Sequence, residues 1–187
     1  MKTPSSPQLI LILGGARSGK STHAEALARQ LGGDHVLYVA TAQPLDEEMA
    51  DRILKHRAQR PATWHTLEAP RYPGQRLRTQ PSQASVILLD CLTLLVSNIL
   101  LAQANANIAT VEAQVMAEVE DLRLAARELN AHLIVVSNEV GMGLVPDNAL
   151  GRMYRDLLGR ANQHLAAVAD QVIFMVAGLP VRVKGQG

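Results

Sequence analysis

The sequence has few aromatic residues, one cysteine and almost no net charge, and each scarcity excludes a class of protein. Aromatic residues make up 3% of the chain, which is too few for a surface that stacks the bases of single-stranded nucleic acid. Eighteen lysines and arginines against seventeen acids leave a net charge of +1, so we expect no general binding to a phosphate backbone. From the low charge and the few aromatic residues we expect no nucleic-acid partner. The lone Cys91 cannot form an intrachain disulfide, which is typical of a reducing compartment, so we expect a cytoplasmic protein.

The chain also has no long apolar run directly after its first residues, so we expect no secretory signal. The segment 86–104 approaches the length of a membrane-spanning helix. Asp90 lies near the start of this segment, and an acid inside a bilayer is costly. We therefore expect a strand that ends at Asp90 and a buried helix from Leu92 to Ala102, and no membrane span.

What the sequence does contain is typical of one globular α/β domain. Hydrophobic residues make up 48% of 187 positions, enough for a sizeable core. Continuous apolar runs predict strands of a mostly parallel sheet that is covered on both faces. We expect one domain over residues 1–187, with frayed ends at 1–6 and 185–187. The predicted strands are Gln8 to Leu13, His35 to Ala40, Ser85 to Leu89, Leu133 to Ser137 and Val172 to Ala177.

Segments with helical periodicity lie between these strands. Apolar residues recur at three- and four-residue steps from Ile108 to Leu129 and from Leu150 to Val168. A helix is also predicted from Asp46 to Gln59, because acids in its first turn and bases in its last turn complement the helix dipole.

Two other segments differ from this alternation. Residues 60–85 carry four prolines and little periodicity, so we interpret them as an extended excursion. Gly178, Leu179 and Pro180 separate two apolar runs, which predicts a terminal hairpin with an antiparallel edge strand from Val181 to Lys184.

A phosphate-binding loop lies between the first strand and a helix-forming run from Ser21 to Leu31. Its backbone N–H groups and the helix N-terminus are suited to cradle the phosphates of a nucleoside triphosphate. Lys20 is placed to reach the β- and γ-phosphates, and Ser21 to ligate Mg²⁺. The loop does not distinguish GTP from ATP. The fixed pattern G-x-x-x-x-G-K-[ST] is matched by Gly14, Gly15, Ala16, Arg17, Ser18, Gly19, Lys20 and Ser21.

Polar residues at the ends of later strands are further candidates for this site. Asp90 ends the third predicted strand and would hold Mg²⁺ directly or through water, or else cap the following helix. Asn138 and Glu139 follow the fourth strand, where a ligand crevice forms in open α/β sheets, or else they form a turn. The three arginines of the last helix would hold a phosphate, pair across subunits or face solvent: Arg152, Arg155 and Arg160.

His56 continues a stripe with Met49 and Ile53 on the helix from Asp46 to Gln59. We expect this face to point at the domain and to hold His56 against it. A neutral imidazole is nucleophilic near pH 7. The alternative is a helix-end histidine that stabilises the C-terminal dipole. No His/Cys pair has zinc spacing, so we expect no protein-held transition metal.

On these residues alone three functions remain open. They are a small-metabolite kinase, a DNA-dependent ATPase, which the low charge disfavours, and a GTP-binding regulatory module without covalent chemistry.

Longer segments of the chain match one known family. GGARSGKS, VLYVATAQ, RPATW and SNEVGMGLVPDN together resemble the bifunctional adenosylcobinamide kinase / adenosylcobinamide-phosphate guanylyltransferase family of cobalamin biosynthesis. The resemblance runs from Leu9 to Lys184. It implies a P-loop three-layer α/β sandwich with a mostly parallel sheet and a short antiparallel C-terminal edge. It also implies a homo-oligomer, a trimer, that uses Mg²⁺.

The resemblance further implies two reactions at one nucleotide site. Adenosylcobinamide takes a phosphoryl group from GTP or ATP, and His56 then carries GMP from GTP to adenosylcobinamide-phosphate. Lys20 is the second catalytic residue, and Glu68 is a candidate reader of guanine. From their position after the fourth strand, we expect Asn138 and Glu139 to lie near the nucleotide or the corrinoid. Nucleotide contacts are implied for Gly14, Gly15, Ala16, Arg17, Ser18, Gly19, Lys20, Ser21, Ala40, Thr41, Ala42, Arg57, Ala58, Gln59, Arg60, Glu68 and Asp90.

Overall fold

Strands and helices alternate along most of the chain in the computed structural model, which describes residues 6–44, 46–79, 82–103 and 106–185. The ends expected to fray lie largely outside these residues. The strands are β1 (Leu9–Gly14), β2 (Val36–Ala40), β3 (His65–Glu68), β4 (Val86–Asp90), β5 (His132–Val136), β6 (Gln171–Val176) and β7 (Leu179–Lys184). The helices are α1 (Lys20–Gly32), α2 (Glu47–Gln59), α3 (Pro73–Thr79), α4 (Leu92–Ala102), α5 (Ile108–Glu128) and α6 (Ala149–Val168).

The seven strands form one sheet in the order β3-β2-β4-β5-β1-β6-β7. Every neighbouring pair is parallel except β6 and β7, which run antiparallel. This confirms the predicted α/β class and the antiparallel edge. The turn before β7 is made by Ala177 and Gly178, both with positive φ, as a tight hairpin requires. The edge strand therefore begins at Leu179, two residues before the predicted Val181.

Helices cover both faces of the sheet, which explains why its strands are apolar without alternation. On one face Ala24 and Ala28 of α1 pack against strand residues such as Leu88. On the other face α3, α4, α5 and α6 bury a larger cluster that includes Val115 and Leu157. The layers are thus helix, sheet and helix.

The segment 60–85, which was predicted to be an extended excursion, is more regular than expected in its described residues. It contains the edge strand β3 and the short helix α3, so the prediction of little regular structure was wrong there. Both elements are too short to show a clear period. Contacts with α5 hold the segment instead, since Arg78 bonds to Asp121 at 2.5 Å and to Glu128 at 2.6 Å.

Residues 86–102 of the apolar segment 86–104 form β4 and α4, as expected. Leu95, Val96 and Ile99 of α4 are almost completely buried within the chain. In the part of the chain that the structure describes, no helix is both long enough and apolar enough to cross a membrane.

Burial of α4 gives a direct test of this fold. Leu95 is completely buried, so Leu95→Ala should lower the free energy of unfolding by about 2–5 kcal/mol through lost contacts and a residual cavity. Leu101, on the same helix, is 53% exposed, and Leu101→Ala should change the free energy of unfolding by only about 0.5 kcal/mol. Urea unfolding of both variants measures the difference, and equal effects would contradict the burial of α4.

Candidate active site

The phosphate loop connects β1 to α1 in a conformation that requires glycine at two positions. A Cβ on Gly14 would lie 2.6 Å from Ser18 Oγ and 2.7 Å from the carbonyl oxygen of Met175. Gly19 precedes α1 as its N-cap with φ of 90°, which a larger residue would adopt only under strain. The amide of Gly178 donates to Ser18 O at 3.0 Å and fixes the loop from the other side.

Lys20 is buried beside this loop. Its ammonium group donates to Gly15 O at 2.5 Å. Burial lowers the pKa of Lys20, whereas the neighbouring Cys91 and Asp90 raise it. A buried cation at the start of a helix, with its partial positive charge, favours an anionic ligand such as a phosphate.

A cavity of about 340 Å³ opens at the carboxyl edge of the sheet, beside Ser21 of α1. It brings Ser21 together with Asp90 at the end of β4, His56 in α2 and Asn138 after β5. This is the edge where α/β sheets bind ligands. Five further site residues predicted from the sequence line this cavity: Ala40, Ala42, Arg57, Arg60 and Glu68. The lining residues that were not predicted as site residues are Tyr38, Pro44, Met49, Ile53, Thr66, Cys91, Thr93 and Leu94.

Some predicted contacts do not line this cavity. Thr41 is completely buried, and its hydroxyl donates to Cys91 O at 2.7 Å and accepts from Cys91 N at 2.8 Å. Asn98 donates to the carbonyl oxygens of Thr41 and Pro70. Thr41 therefore holds the backbone beneath the cavity. Ala58 is exposed on α2, and the side chain of Gln59 lies outside the described part of the chain.

Helix α2 brings His56 to the cavity. The helix begins where Asp46 accepts a hydrogen bond from Met49 N at 2.7 Å, and Met49 and Ile53 are half-buried on its inner face. His56 lies one turn further along that face. It lines the cavity, so this face points at the domain as expected. The side chain is nevertheless exposed and is not packed against the domain as predicted. The face ends at an open cavity mouth, which leaves the imidazole accessible to a ligand.

Asp90 faces the cavity and does not cap α4. The N-cap of α4 is Cys91, without a side-chain hydrogen bond, so the capping alternative for Asp90 was wrong. Its Oδ2 accepts from the hydroxyl of Tyr38 at 2.8 Å. The Ser21 hydroxyl and the Asp90 carboxylate on one cavity supply hard oxygen donors, which fit Mg²⁺ held together with a nucleotide. Among the described residues, no group of three or more His, Cys, Asp or Glu side chains is arranged so that it could hold a metal ion.

Glu25 is a residue near this site that the sequence prediction missed. It lies on α1 one turn after Ser21 and is half-buried. Burial raises its pKa, Asp90 raises it further, and Arg60 and His56 oppose the rise. Glu25 therefore faces the same group of charges. Its four-residue spacing from Ser21, which puts both on one helix face, was the available signal.

Arg57 and Glu68 face each other across the cavity mouth. Arg57 Nη1 lies 3.8 Å from Glu68 Oε1, and both side chains are largely exposed. An ion pair this exposed contributes little to stability. Both groups are thus accessible to a ligand.

The residues after β5 divide between the two predicted alternatives. Asn138 lines the cavity, and its backbone N–H donates to Thr93 Oγ1 at 2.9 Å. Glu139 instead accepts from Gly141 N at 2.6 Å and forms a turn. On α6, Arg160 Nη1 donates to both carboxylate oxygens of Glu112 at 2.6 and 2.7 Å. Arg152 donates to two carbonyl oxygens before the helix. Arg155 lies 3.9 Å from Asp156.

Two solved structures share the fold. The flagellar accessory protein FlaH from Methanocaldococcus jannaschii aligns with a TM-score of 0.52 at 16% identity, over 97% of this chain and 80% of that one. A second structure, of an ATPase domain, aligns with a TM-score of 0.52 at 19% identity, over 89% of this chain and 68% of that one. They support the predicted α/β fold class.

Sequence comparison extends over nearly the full chain. The protein is 45% identical to the bifunctional adenosylcobalamin biosynthesis protein CobU of Salmonella typhimurium over 184 residues, which cover 94% of this chain and 99% of the relative. It is 41% identical to CobU of Escherichia coli, with the same coverage. It is also 45% identical to CobP of Pseudomonas aeruginosa, over 94% of this chain and 97% of the relative. The family model described as cobinamide kinase / cobinamide phosphate guanyltransferase matches residues 10–183. The chain belongs to the cobinamide kinase / cobinamide phosphate guanyltransferase family.

Proposed function

We propose that this protein phosphorylates adenosylcobinamide and then transfers GMP from GTP to adenosylcobinamide-phosphate. Family membership supports both reactions. The observation that carries the proposal is the single cavity shared by Ser21 of the phosphate loop, Asp90 and His56. A phosphate loop explains the kinase step, and a nearby exposed imidazole explains the guanylyl step.

In the kinase step the terminal hydroxyl of the aminopropanol arm attacks the γ-phosphorus of a bound GTP or ATP. The bond from γ-phosphorus to the bridging oxygen breaks, a nucleoside diphosphate leaves, and the hydroxyl proton is released. Lys20 and the loop amides stabilise the charge that spreads over the transferred group. Ser21 and Asp90 would hold Mg²⁺, which when bound neutralises phosphate charge.

In the guanylyl step a neutral His56 attacks the α-phosphorus of GTP and expels pyrophosphate. The product is a phosphoramidate between His56 and GMP. A phosphate oxygen of adenosylcobinamide-phosphate then attacks the same phosphorus, gives adenosylcobinamide-GDP and releases His56. Dividing the transfer in this way lets pyrophosphate leave before the large acceptor binds.

The remaining cavity residues support recognition of the two substrates. The Glu68 carboxylate is suited to accept hydrogen bonds from N1–H and N2–H of guanine. Arg57 and Arg60 place positive charge near the phosphates. A cavity of about 340 Å³ lies at the lower end of the usual range for ligand sites, so the corrinoid ring extends beyond it, past Asn138.

We also propose that the protein works in the cytoplasm as a homo-oligomer, a trimer by its resemblance to the family. The lone cysteine supports the location. Exposed apolar side chains in the segment after Asn138, at Met142, Leu144 and Val145, support a surface that is covered by another subunit or by the acceptor.

The guanylyl step predicts a covalent adduct on one histidine. Incubation with GTP labelled at the α-phosphorus should give a labelled protein that loses its label in acid and keeps it in alkali, as a phosphoramidate does. GTP labelled at the γ-phosphorus should leave no label. His56→Ala should abolish the adduct, whereas His35→Ala, which changes an exposed histidine at the opposite edge of the sheet, should not.

The outcomes of this labelling separate the candidate functions. A label that persists in His56→Ala would assign the nucleophile to another residue. Turnover of the γ-phosphate to an alcohol without any adduct would indicate an ordinary metabolite kinase. GTP binding without turnover or adduct would indicate a regulatory module.

The kinase step predicts a strong dependence on the Lys20 ammonium. Lys20→Met retains most of the buried stem and removes the charge, so phosphorylation of adenosylcobinamide should slow by at least about 100-fold. A thermal unfolding midpoint close to that of the unchanged protein would show that the loss is not due to unfolding. Near-normal phosphorylation by this variant would remove Lys20 from the mechanism.

A further inference from the structure

Tyr38 is a buried aromatic residue that contacts two different parts of the site. It lies in the middle of β2 and is 1% exposed. The parallel register pairs Tyr38 with Leu88 and Ala40 with Asp90, so Tyr38 and Asp90 project from the same face of the sheet. In the sequence Tyr38 belongs to an apolar run and is indistinguishable from an ordinary core residue.

The hydroxyl of Tyr38 orients Asp90. It donates to Asp90 Oδ2 at 2.8 Å. With Oδ2 engaged by Tyr38, rotation of the carboxylate is restricted, which limits the orientations that its second oxygen can take. Partners of this kind determine how well a carboxylate ligates a metal.

The ring of Tyr38 supports Arg60. The guanidinium carbon of Arg60 lies 3.4 Å from the ring centroid, the distance of a stacked cation–π contact. Arg60 is the C-cap of α2, four residues after His56. Its buried Nε lacks a hydrogen-bond partner among the described residues. The aromatic face is therefore a principal contact that holds this guanidinium at the cavity wall.

We propose that Tyr38 is a positioning residue with two separable tasks: its hydroxyl orients Asp90 for the magnesium–nucleotide complex, and its ring holds Arg60, and with it the His56 end of α2, at the cavity. The inference rests on the proposed function for the identity of the nucleotide. It predicts that removal of the hydroxyl and removal of the ring have different consequences.

The hydroxyl is tested by Tyr38→Phe, which keeps the ring and most of the side-chain volume. Equilibrium binding of a fluorescent, non-hydrolysable GTP analogue is measured as a function of Mg²⁺ concentration. The Mg²⁺ concentration at half-maximal binding should rise by about tenfold, whereas binding at saturating Mg²⁺ should change little. Tyr72→Phe, at a tyrosine that is 45% exposed and contacts α5, is the matched control and should show no shift. An unchanged Mg²⁺ dependence in Tyr38→Phe would overturn the orienting task.

The ring is tested by a double-mutant cycle between Tyr38→Leu and Arg60→Ala, with affinity for the same analogue at saturating Mg²⁺ as the readout. Arg60→Ala should weaken binding by about tenfold in the unchanged protein and by much less in the Tyr38→Leu background, because the stacked cation is already released there. Equal losses in both backgrounds would overturn the second task. Tyr38→Met replaces Tyr38→Leu if the latter does not fold.

These measurements do not depend on catalysis. A residue that merely stabilised the fold would lower the unfolding midpoint without shifting the Mg²⁺ dependence or the coupling with Arg60. If the unchanged protein binds the analogue but forms no His56 adduct, the proposed guanylyl transfer fails while the results for Tyr38 stand.

Discussion

The parallel register between β2 and β4 is the constraint from which the site follows. Because Ala40 pairs with Asp90, both strands end at the same height, beside the start of α1. The carboxylate of Asp90 thereby comes to share a cavity with Ser21. A shift of one residue in this register would turn Asp90 to the opposite face of the sheet, away from Ser21 and Tyr38.

The site holds opposite charges close together in a partly buried space. Glu25 and Asp90 are acids near a place suited to polyanionic phosphates, and alone they would repel them. Lys20, Arg57 and Arg60 supply the compensating positive charge. The raised pKa of Glu25 and the lowered pKa of Lys20 both arise mainly from burial, so a phosphate that enters meets groups already removed from water. Such groups need little reorganisation during a reaction.

Much of this arrangement was predictable from the sequence, for physical reasons. Parallel strands buried on both faces give continuous apolar runs, so β1, β2, β4, β5 and β6 were predicted close to their observed ends. The edge strand β7 was predicted as well, and of the strands only β3 was missed. The phosphate loop was found because its geometry tolerates few residues, as the contact of a Gly14 Cβ with Met175 O illustrates.

What the sequence did not reveal depends on contacts between distant segments. β3 is a four-residue edge strand and α3 has seven residues, so neither shows a period, and both are held by neighbours. Tyr38 was missed because an aromatic residue in an apolar run carries no sign of a polar partner. The burial of Thr41 likewise depends on the close approach of another backbone segment, at Cys91.

The hydrogen bonds around Thr41 restrict how this edge of the sheet can vary in evolution. One hydroxyl serves both the N–H and the carbonyl oxygen of Cys91, and Asn98 joins the Thr41 backbone to that of Pro70. Valine has nearly the shape of threonine, but it would leave the buried Cys91 N–H without a partner, while Cys91 O would keep only its bond from Leu95 N. Serine is the one other small residue that retains both bonds. Position 41 is thus confined to hydroxyl side chains by the architecture beneath the cavity, whatever nucleotide the protein binds.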